Sequence, residues 1–269
     1  MQCELAGGNL LPPELMGKLD AVSRTQHLLV ACDYDGTLAD LVDNPELALP
    51  HDRAISAFRA INRMEGTTTA VVSGRSLKDL DAFLGVGGPE FRIGSHGAEW
   101  IGHGVQLTLE QATLLNRVSR AVSSLAEEHM GFRCEVKPAG VALHVRGVRP
   151  RVASMAIAAA LAAFGGIPGV YVRRGSEVIE FMVVPANKGT AVLGLKKAAG
   201  ATAIVFIGDD LTDEDVFAVL TDDDVGIKVG SNGETLAAYR VDGPEMVGIV
   251  LEQLAVSRGE WVQHRSNLT

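Results

Sequence analysis

Short apolar runs that end in small or polar residues recur along this chain of 269 residues. They are His27–Cys32, Thr68–Val72, Phe91–Ile93, Ala203–Ile207 and Val225–Val229. Apolar runs of this length, bounded by turn residues, are typical of fully buried strands. Strands of a parallel sheet have this pattern because helices cover both faces of the sheet. The runs therefore predict the strands of a buried, mostly parallel sheet.

Helical periodicity separates these runs. The segment His51–Met64 places Ile55, Phe58 and Ile61 on one stripe, and the segment that begins at Leu77 repeats this spacing. Strands that alternate with helices predict a doubly wound α/β sheet. In such sheets, ligands bind beyond the carboxyl ends of the strands, so the polar residues that follow the strands are candidate site residues.

The middle of the chain has a different pattern. It predicts a helix over Leu109–Glu128, strands over Phe132–Lys137 and Val141–Gly147, a helix over Arg151–Phe164, and strands near Gly169–Arg173 and Glu177–Val184. This order predicts a small α+β domain inserted into the larger sheet, with hinges at Gly102–Leu107 and Pro185–Asn187. The predicted division is a core domain at 1–104, the inserted domain at 105–185, and the rest of the core domain at 186–269.

Composition narrows the class of protein. The net charge of −9 argues against general nucleic-acid binding, which needs a basic face. The scattered cysteines Cys3, Cys32 and Cys134 predict neither a disulfide framework nor a cysteine metal site. The N-terminus lacks signal-peptide features, and the uncharged stretch Val152–Val172 is interrupted before it reaches the ~20 residues of a membrane span. We therefore expect a cytoplasmic protein without nucleic-acid or membrane partners.

Two carboxylates follow the first predicted strand directly, in the stretch Asp33-Tyr34-Asp35-Gly36-Thr37. One carboxylate of such a pair can attack a substrate while the other gives and takes a proton. Gly36 would allow a tight turn after the strand. A purely structural Asp-Gly turn would have the same pattern, so this stretch alone leaves both interpretations open.

A second acidic stretch, Gly208–Asp215, follows another apolar run. Mg²⁺ prefers oxygen ligands and is commonly held by one or two carboxylates. The same residues could instead form a helix N-terminus, where acids are favoured. Two acidic strand ends in one sheet favour a cation site, because unneutralised carboxylates repel each other. Ser73 at a strand end and Lys188 at a predicted helix start could then bind phosphate.

The order of these motifs resembles the haloacid dehalogenase phosphatase superfamily, and the inserted block resembles the cap of its sugar-phosphatase branch. Within that branch, the chain resembles the trehalose-6-phosphate phosphatases. The resemblance is carried by Asp33–Leu38, Ser73-Gly74-Arg75, Gly94–Gly97, Glu135-Val136-Lys137, Ala142–Arg146, Glu180, Asn187-Lys188-Gly189 and Gly208–Phe217. One departure is that the family usually has Arg-Pro soon after the second cap glutamate, whereas Glu180 is followed by Phe-Met-Val-Val-Pro.

The resemblance implies a haloacid dehalogenase-like fold and the Mg²⁺-dependent hydrolysis of a small sugar phosphate. The implied reaction converts trehalose 6-phosphate to trehalose and phosphate, the last step of trehalose biosynthesis. Asp33 would be the nucleophile that becomes an aspartyl phosphate, and Asp35 would be the general acid and base. Asp33, the backbone carbonyl of Asp35, and Asp209 would bind Mg²⁺.

The resemblance also implies supporting and substrate-binding residues. Ser73 and Lys188 would hold the phosphoryl oxygens. Asp210 and Asp213 would surround the metal ligands without binding the metal themselves. Spacing alone places Glu135 and Lys137 on one face of a strand, and His144 and Arg146 on one face of the next. A solvated sheet face would have the same spacing, whereas the resemblance implies a sugar-binding face. The residues expected to contact the sugar are Glu135, Lys137, Glu180, Arg75, His96 and Arg146.

Two alternatives remain open at the level of sequence. The first is another sugar phosphatase of the same superfamily, acting on sucrose phosphate or mannosyl-3-phosphoglycerate, because only the cap residues separate these choices. The second is a phospho-receiver module that is phosphorylated without turnover. Receivers are about half this size, lack an inserted cap, and carry their acid pair before the phosphate acceptor, so the sequence disfavours this alternative.

Overall fold

The structure is a computed structural model that describes residues 11–100, 106–175 and 177–267. Its strands are β1 (Leu28–Cys32), β2 (Thr67–Val72), β3 (Phe91–Gly94), β4 (Glu99–Trp100), β5 (Arg133–Lys137), β6 (Gly140–His144), β7 (Tyr171–Gly175), β8 (Val178–Met182), β9 (Ala203–Gly208), β10 (Val225–Val229) and β11 (Tyr239–Val241). Its helices are α1 (Pro13–Ser23), α2 (Asp52–Ile61), α3 (Leu77–Leu84), α4 (Leu109–Glu127), α5 (Pro150–Phe164), α6 (Lys188–Ala199), α7 (Glu214–Phe217) and α8 (Pro244–Ser266).

Seven strands form the larger sheet, in the order β11-β10-β9-β1-β2-β3-β4. All neighbours are parallel except β3 and β4. The chain reverses directly after β3, where Ser95 and His96 have φ angles of 47° and 55°, and this turn lets the short β4 pair antiparallel to β3. The predicted doubly wound α/β fold is confirmed, with one antiparallel edge strand added.

The alternating side chains of β1 explain why its run is entirely apolar. Leu28 and Val30 belong to a core cluster with residues of α1, α2, α3 and α8. Leu29 and Ala31 point to the opposite face and pack with residues of α6 and α7. Both faces of the strand are therefore buried under helices, as a central parallel strand requires.

The elements α4 to β8, residues 109–182, form a separate four-stranded antiparallel sheet in the order β5-β6-β8-β7, and we call them the cap unit. Its helices α4 and α5 cover one face of this sheet, where Val141, Leu143, Ile179 and Phe181 are buried. The remaining chain forms the core unit. The element order agrees with the predicted α+β block.

The exact domain boundaries at 104/105 and 185/186 stay a prediction. Most of the predicted first hinge, Gly102–Leu107, lies outside the described residues, as do Cys3 and His103. Cys32 and Cys134 are free thiols. In the part of the chain that the structure describes, no helix is both apolar enough and long enough for a membrane span.

Two features of the fold differ from the sequence-based expectation. The strand predicted over Val141–Gly147 ends at His144, because the chain turns at Gly147, with a φ angle of 75°, to begin α5. Arg146 therefore lies beyond the strand, and the prediction that it shares a strand face with His144 is wrong. In addition, α1 and α8 were not expected, and α8 contributes the fully buried Arg258 to the core unit.

Candidate active site

Asp33 lies at the carboxyl end of β1, where the sheet delivers it into a buried position with 5% exposure. Its backbone N–H donates to the carbonyl of Ile207 on β9 at 2.9 Å, and this bond continues the sheet to the site. Gly36 follows with a φ angle of 76°, and a Cβ atom there would lie 2.1 Å from Asp209 Oδ2. Glycine at this position therefore provides both the turn and the space for the second acidic stretch.

Three carboxylates converge at this end of the sheet. One oxygen each from Asp33, Asp209 and Asp213 lies within 4.8 Å of the others. Asp209 Oδ1 is buried without a hydrogen-bond partner. Burial, reinforced by the charge of Asp213, raises the pKa of Asp209 to about 7. The cluster thus presents an unused oxygen ligand amid mutually repelling carboxylates, which suits a hard divalent cation.

Lys188 is the cation that already lies among these carboxylates. The side chain of Asn187 caps α6 by accepting from the backbone N–H of Thr190, and this places Lys188 in the first turn. Its Nζ atom lies 3.0 Å from Asp33 Oδ2 and 2.8 Å from Asp213 Oδ1. Burial by itself lowers the pKa of Lys188, but the two carboxylates raise it above its ordinary value. One lysine can offset the charge of only one of the three carboxylates, so the cluster can accept additional positive charge.

The acidic stretch after β9 is held in place by its own hydrogen bonds. The backbone N–H of Asp210 donates to Asp213 Oδ2 at 2.9 Å. Buried Lys228, on the neighbouring strand β10, donates to the carbonyl of Asp210 at 3.1 Å. Asp213 is thus both a member of the carboxylate cluster and a support for the turn. The expected ligand set was Asp33, Asp209 and the backbone carbonyl of Asp35. The cluster of side chains contains Asp33, Asp209 and Asp213.

Asp35 is held by Arg75 and does not belong to the cluster of Asp33, Asp209 and Asp213. The guanidinium donates from Nε and Nη2 to the two oxygens of Asp35, at 2.7 and 2.6 Å. It also donates to the carbonyl of Pro45 and lies against the rings of Tyr34 and Phe83. Arg75, expected to contact the sugar, therefore orients the proposed proton-transfer group.

Ser73 follows β2, the strand next to β1, and is 1% exposed. Its hydroxyl accepts from the backbone N–H of Arg75 at 3.2 Å. Its backbone carbonyl accepts from the backbone N–H of His96 at 2.9 Å. The hydroxyl hydrogen remains available to donate, as a phosphate-binding role requires.

The open face of the cap sheet, opposite α4 and α5, meets the core unit; we call it the cap face. Glu180 lies on it with 4% exposure, 2.9 Å from Lys137 Nζ and 3.0 Å from His96 Nε2. Burial would raise the pKa of Glu180, but Lys137 and His96 hold it below its ordinary value. Lys137 also donates to the carbonyl of Gly74 at 2.8 Å. These bonds join the cap face to the loops that follow β2 and β3.

The other expected sugar contacts lie nearby with partners of their own. Glu135 forms an ion pair of 2.7 Å with His144. Glu135 and Glu180 share one cross-strand row, because both are opposite Ala142. Arg146 donates to the carbonyl of Val42, in the loop region after β1, at 2.9 Å. The register of Glu180 thus places it on the same face as Glu135, although the residues that follow it depart from the family pattern.

Two residues of this region were missed from the sequence. Lys228 belongs to none of the sequence motifs, so nothing distinguished it from any other lysine in a strand. Arg173 lies opposite Glu180 in the same cross-strand row and reaches Asp215 of the core unit at 2.9 Å. Arg173 ends the strand predicted near Gly169–Arg173, but the pairing that brings it to the cap face depends on the sheet register, which the sequence does not contain.

A family model described as trehalose-phosphatase matches residues 31–245, which include all the residues named at this site. This chain belongs to the trehalose-phosphatase family. This family membership agrees with the resemblance that the catalytic motifs carry. It argues against the alternative that the chain is a phospho-receiver module. Proteins similar to this chain differ widely in length.

The chain is 32% identical over 257 residues to a trehalose-phosphate phosphatase of Mycobacterium avium, covering 87% of this chain and 64% of that protein. It is 34% identical over 252 residues to an uncharacterized glycosyl hydrolase of Mycobacterium tuberculosis, covering 87% of this chain but 19% of that protein. The chain thus spans about a fifth to two thirds of the length of these relatives.

The fold also occurs among solved structures of the trehalose-phosphatase family. The C-terminal domain of the C. albicans trehalose-6-phosphate phosphatase superposes with a TM-score of 0.78 at 21% identity, covering 90% of this chain and 97% of that domain. This likeness supports the haloacid dehalogenase-like arrangement of core and cap, and the fold class is confirmed by it.

Proposed function

We propose that this chain hydrolyses trehalose 6-phosphate to trehalose and phosphate, with Mg²⁺ as cofactor. The observation that carries this proposal is the placement of a charged cap face, with Glu135, Lys137 and Glu180, against the loops of the Asp33 site. The carboxylate and lysine cluster suits a phosphoryl group, and the cap face suits a polyhydroxylated leaving group. Membership of the trehalose-phosphatase family supports the choice of sugar.

The chemistry assigned to the carboxylates balances in two steps. A carboxylate oxygen of Asp33 attacks phosphorus, the bond from phosphorus to the sugar oxygen breaks, and Asp35 gives its proton to that oxygen. Asp35 then takes a proton from water, whose oxygen attacks phosphorus and releases phosphate from Asp33. A positioned acid matters because an alkoxide leaves poorly, and such catalysis is typically worth about 10²–10⁴-fold.

The residues that would hold Mg²⁺ are Asp33, Asp209 and the backbone carbonyl of Asp35, with Asp213 close by. The fit rests on the unpartnered Oδ1 of Asp209 and on the cluster of Asp33, Asp209 and Asp213, in which Lys188 pairs with Asp33 and Asp213. When bound, the cation neutralises the charge that would otherwise keep a phosphate dianion away from a carboxylate. Ser73 and Lys188 bind the phosphoryl oxygens in this assignment.

Substrate choice is assigned to the cap face. Glu135, Lys137 and Glu180 can form charge-assisted hydrogen bonds with the hydroxyls of the distal sugar. In the structure Lys137 and Glu180 bond to each other and to Gly74 and His96, and Glu135 bonds to His144. The hydroxyls of a bound sugar would replace some of these contacts. Arg75, His96 and Arg146 complete the proposed binding set.

The test is phosphate release from a panel of trehalose 6-phosphate, sucrose 6-phosphate, mannosyl-3-phosphoglycerate and glucose 6-phosphate, with and without Mg²⁺. We expect the highest kcat/KM for trehalose 6-phosphate, because a polar site that loses its matching hydroxyl penalises the wrong sugar strongly. Substitution of Glu135 or Lys137 by alanine should lower this kcat/KM by about tenfold or more.

The panel also separates the remaining alternatives. A higher kcat/KM for sucrose 6-phosphate or mannosyl-3-phosphoglycerate would replace the proposed substrate and keep the mechanism. A phosphorylated protein that accumulates without releasing phosphate would contradict the enzyme assignment itself.

A further inference from the structure

Arg173 belongs to the cap face but has partners of a different kind from the proposed sugar contacts. Its side chain is 15% exposed. Nη1 donates to Asp215 Oδ2 at 2.9 Å, and Nη2 donates to the backbone carbonyl of Ala186 at 2.6 Å. Asp215 lies in α7 of the core unit, and Ala186 lies in the connection that returns from β8 to α6. One guanidinium thus joins the cap unit to two separate parts of the chain.

Asp215 is a firm attachment point because its backbone is packed against the start of α6. A Cβ atom at Gly189 would lie 2.1 Å from the carbonyl oxygen of Asp215, so glycine is what allows this approach. The segment with Asp215 continues directly from the acidic stretch that contains Asp209 and Asp213. The guanidinium of Arg173 is therefore bound to a residue whose backbone is closely packed against α6.

The end of β7 lies over the same acidic stretch. A Cβ atom at Gly175 would lie 3.3 Å from Asp210 Oδ2. Arg173, two residues earlier on the same strand, forms its ion pair with Asp215 there. The contact between cap and core is therefore made at two points along β7.

We propose that the Arg173–Asp215 pair is a latch that holds the cap unit closed over the site, which makes Arg173 a positioning residue. Both guanidinium nitrogens that reach the core unit and the return connection are engaged by protein acceptors. The latch stabilises the closed arrangement, in which Glu180 and Lys137 meet the loops after β2 and β3. Charge-assisted bonds to a carboxylate are the stronger class of hydrogen bond, and partial burial reduces their screening by salt.

The latch predicts a specific kinetic pattern, which rests on the proposed function. If only the closed form binds the disaccharide productively, loss of the latch lowers the population of that form and raises KM in proportion. We expect Arg173→Met to raise KM for trehalose 6-phosphate by about tenfold and to leave kcat within about twofold, because saturating substrate restores closure. Arg173→Lys, which keeps the charge, should recover part of the loss.

A double-mutant cycle with Asp215→Asn tests whether the two side chains act as a pair. Each single variant should raise KM, and the double variant should be no worse than Arg173→Met, since the same contact is lost in all three. Additive effects of the two substitutions would overturn the latch. A fall in kcat with unchanged KM would also overturn it, because that pattern indicates an effect on the chemistry of the acidic stretch.

Small-angle scattering of the substrate-free protein gives a readout that does not depend on the reaction. The radius of gyration should increase for Arg173→Met and return toward the wild-type value for Arg173→Lys. An unchanged radius for Arg173→Met would overturn the latch even if activity fell. A protein that expands in this way but does not hydrolyse trehalose 6-phosphate would support the latch and contradict the proposed substrate.

Arg92 provides a matched control within the core unit. It is 16% exposed, forms an ion pair with Asp81, and donates to the carbonyl of Gly85 at 2.5 Å. Both partners lie in or directly after α3, so its contacts do not cross the cleft. Arg92→Met should leave KM and the radius of gyration at wild-type values. A similar rise in KM for Arg92→Met would attribute the Arg173 effect to general loss of packing and overturn the proposal.

Discussion

Replacing Gly36 with alanine would place a methyl group where Asp209 now lies. The added Cβ atom would be 2.1 Å from Asp209 Oδ2 and 2.4 Å from its Cγ, distances at which one of the two residues must move. The φ angle of 76° adds backbone strain of roughly 1–2 kcal/mol for a residue with a Cβ atom. We therefore expect both a loss of stability and a displacement of the proposed metal ligand.

The two effects differ in size and can be measured separately. The backbone strain should lower the Tm by about 2–8 °C, given roughly 2–4 °C per kcal/mol for a chain of this size. A displacement of Asp209 by about 1 Å should lower the rate of phosphate release on the order of 10²-fold. The assays are initial rates with trehalose 6-phosphate at saturating Mg²⁺, Mg²⁺ affinity by calorimetry, and thermal unfolding.

Gly233 is the matched control for backbone strain alone. Its φ angle is 79°, close to that of Gly36, but a Cβ atom there would have no neighbour within 4 Å. Gly233→Ala should therefore lower the Tm by a similar amount and keep the wild-type rate and Mg²⁺ affinity. Wild-type activity and Mg²⁺ affinity in Gly36→Ala would refute the argument that Gly36 makes space for Asp209.

Three other predictions concern the nucleophile, the cation and the buried arginine. Asp33→Asn should lower phosphate release by about 10³-fold or more while the protein stays folded, because an amide cannot form the aspartyl phosphate; normal turnover by the folded variant would remove Asp33 as nucleophile. Exhaustive chelation should stop the reaction and Mg²⁺ should restore it, whereas full activity after chelation would contradict the cation requirement. Arg258→Met should reduce the free energy of unfolding by about 2–5 kcal/mol in denaturant titrations, because the carbonyls of Ser23, Thr25 and Gly66 would lose the guanidinium as a donor, and among the described residues only that of Gly66 keeps a second bond, from the backbone N–H of Leu28. A stability within about 0.5 kcal/mol of wild type would contradict that structural role.

The catalytic motifs were visible in the sequence because their positions depend on local rules. Asp33, Ser73 and Asp209 each follow an apolar run, and the carboxyl ends of neighbouring parallel strands lie at one edge of a sheet. The period-2 alternation of the cap strands likewise predicted that Glu135 and Lys137 share a face. These inferences needed only the direction and periodicity of each strand.

The partners of the site residues could not be predicted in the same way. The sequence contained no sign that Arg75 would bond to Asp35, or that Glu180 would lie between Lys137 and His96. These pairs join residues that are 40 or more positions apart, or that belong to different sheets. Their distances depend on how the cap unit packs on the core unit, and periodicity along one strand contains no information about that packing.

The C-terminal helix α8 also shows a packing feature that the sequence pattern did not predict. The pattern of α8 is weakly amphipathic, and the helix buries a charged residue, Arg258, as well as Val250, Leu251 and Leu254. A buried arginine needs hydrogen-bond acceptors for its N–H groups, and here the acceptors are carbonyls from the chain before β1 and before β2. Hydrophobic periodicity cannot recognise a core position that is satisfied by backbone atoms of other segments.

By itself, the sequence determined five of the seven strands of the larger sheet, the order of the motifs and the identity of the carboxylates that cluster at the strand ends. Tertiary structure alone decided which charges pair: Lys188 with Asp33 and Asp213, and Arg173 with Asp215. The physical reason is the range of the interactions. Strand burial and turn chemistry follow from neighbours a few residues away, whereas an ion pair requires two side chains to meet within about 4 Å after the whole chain has folded.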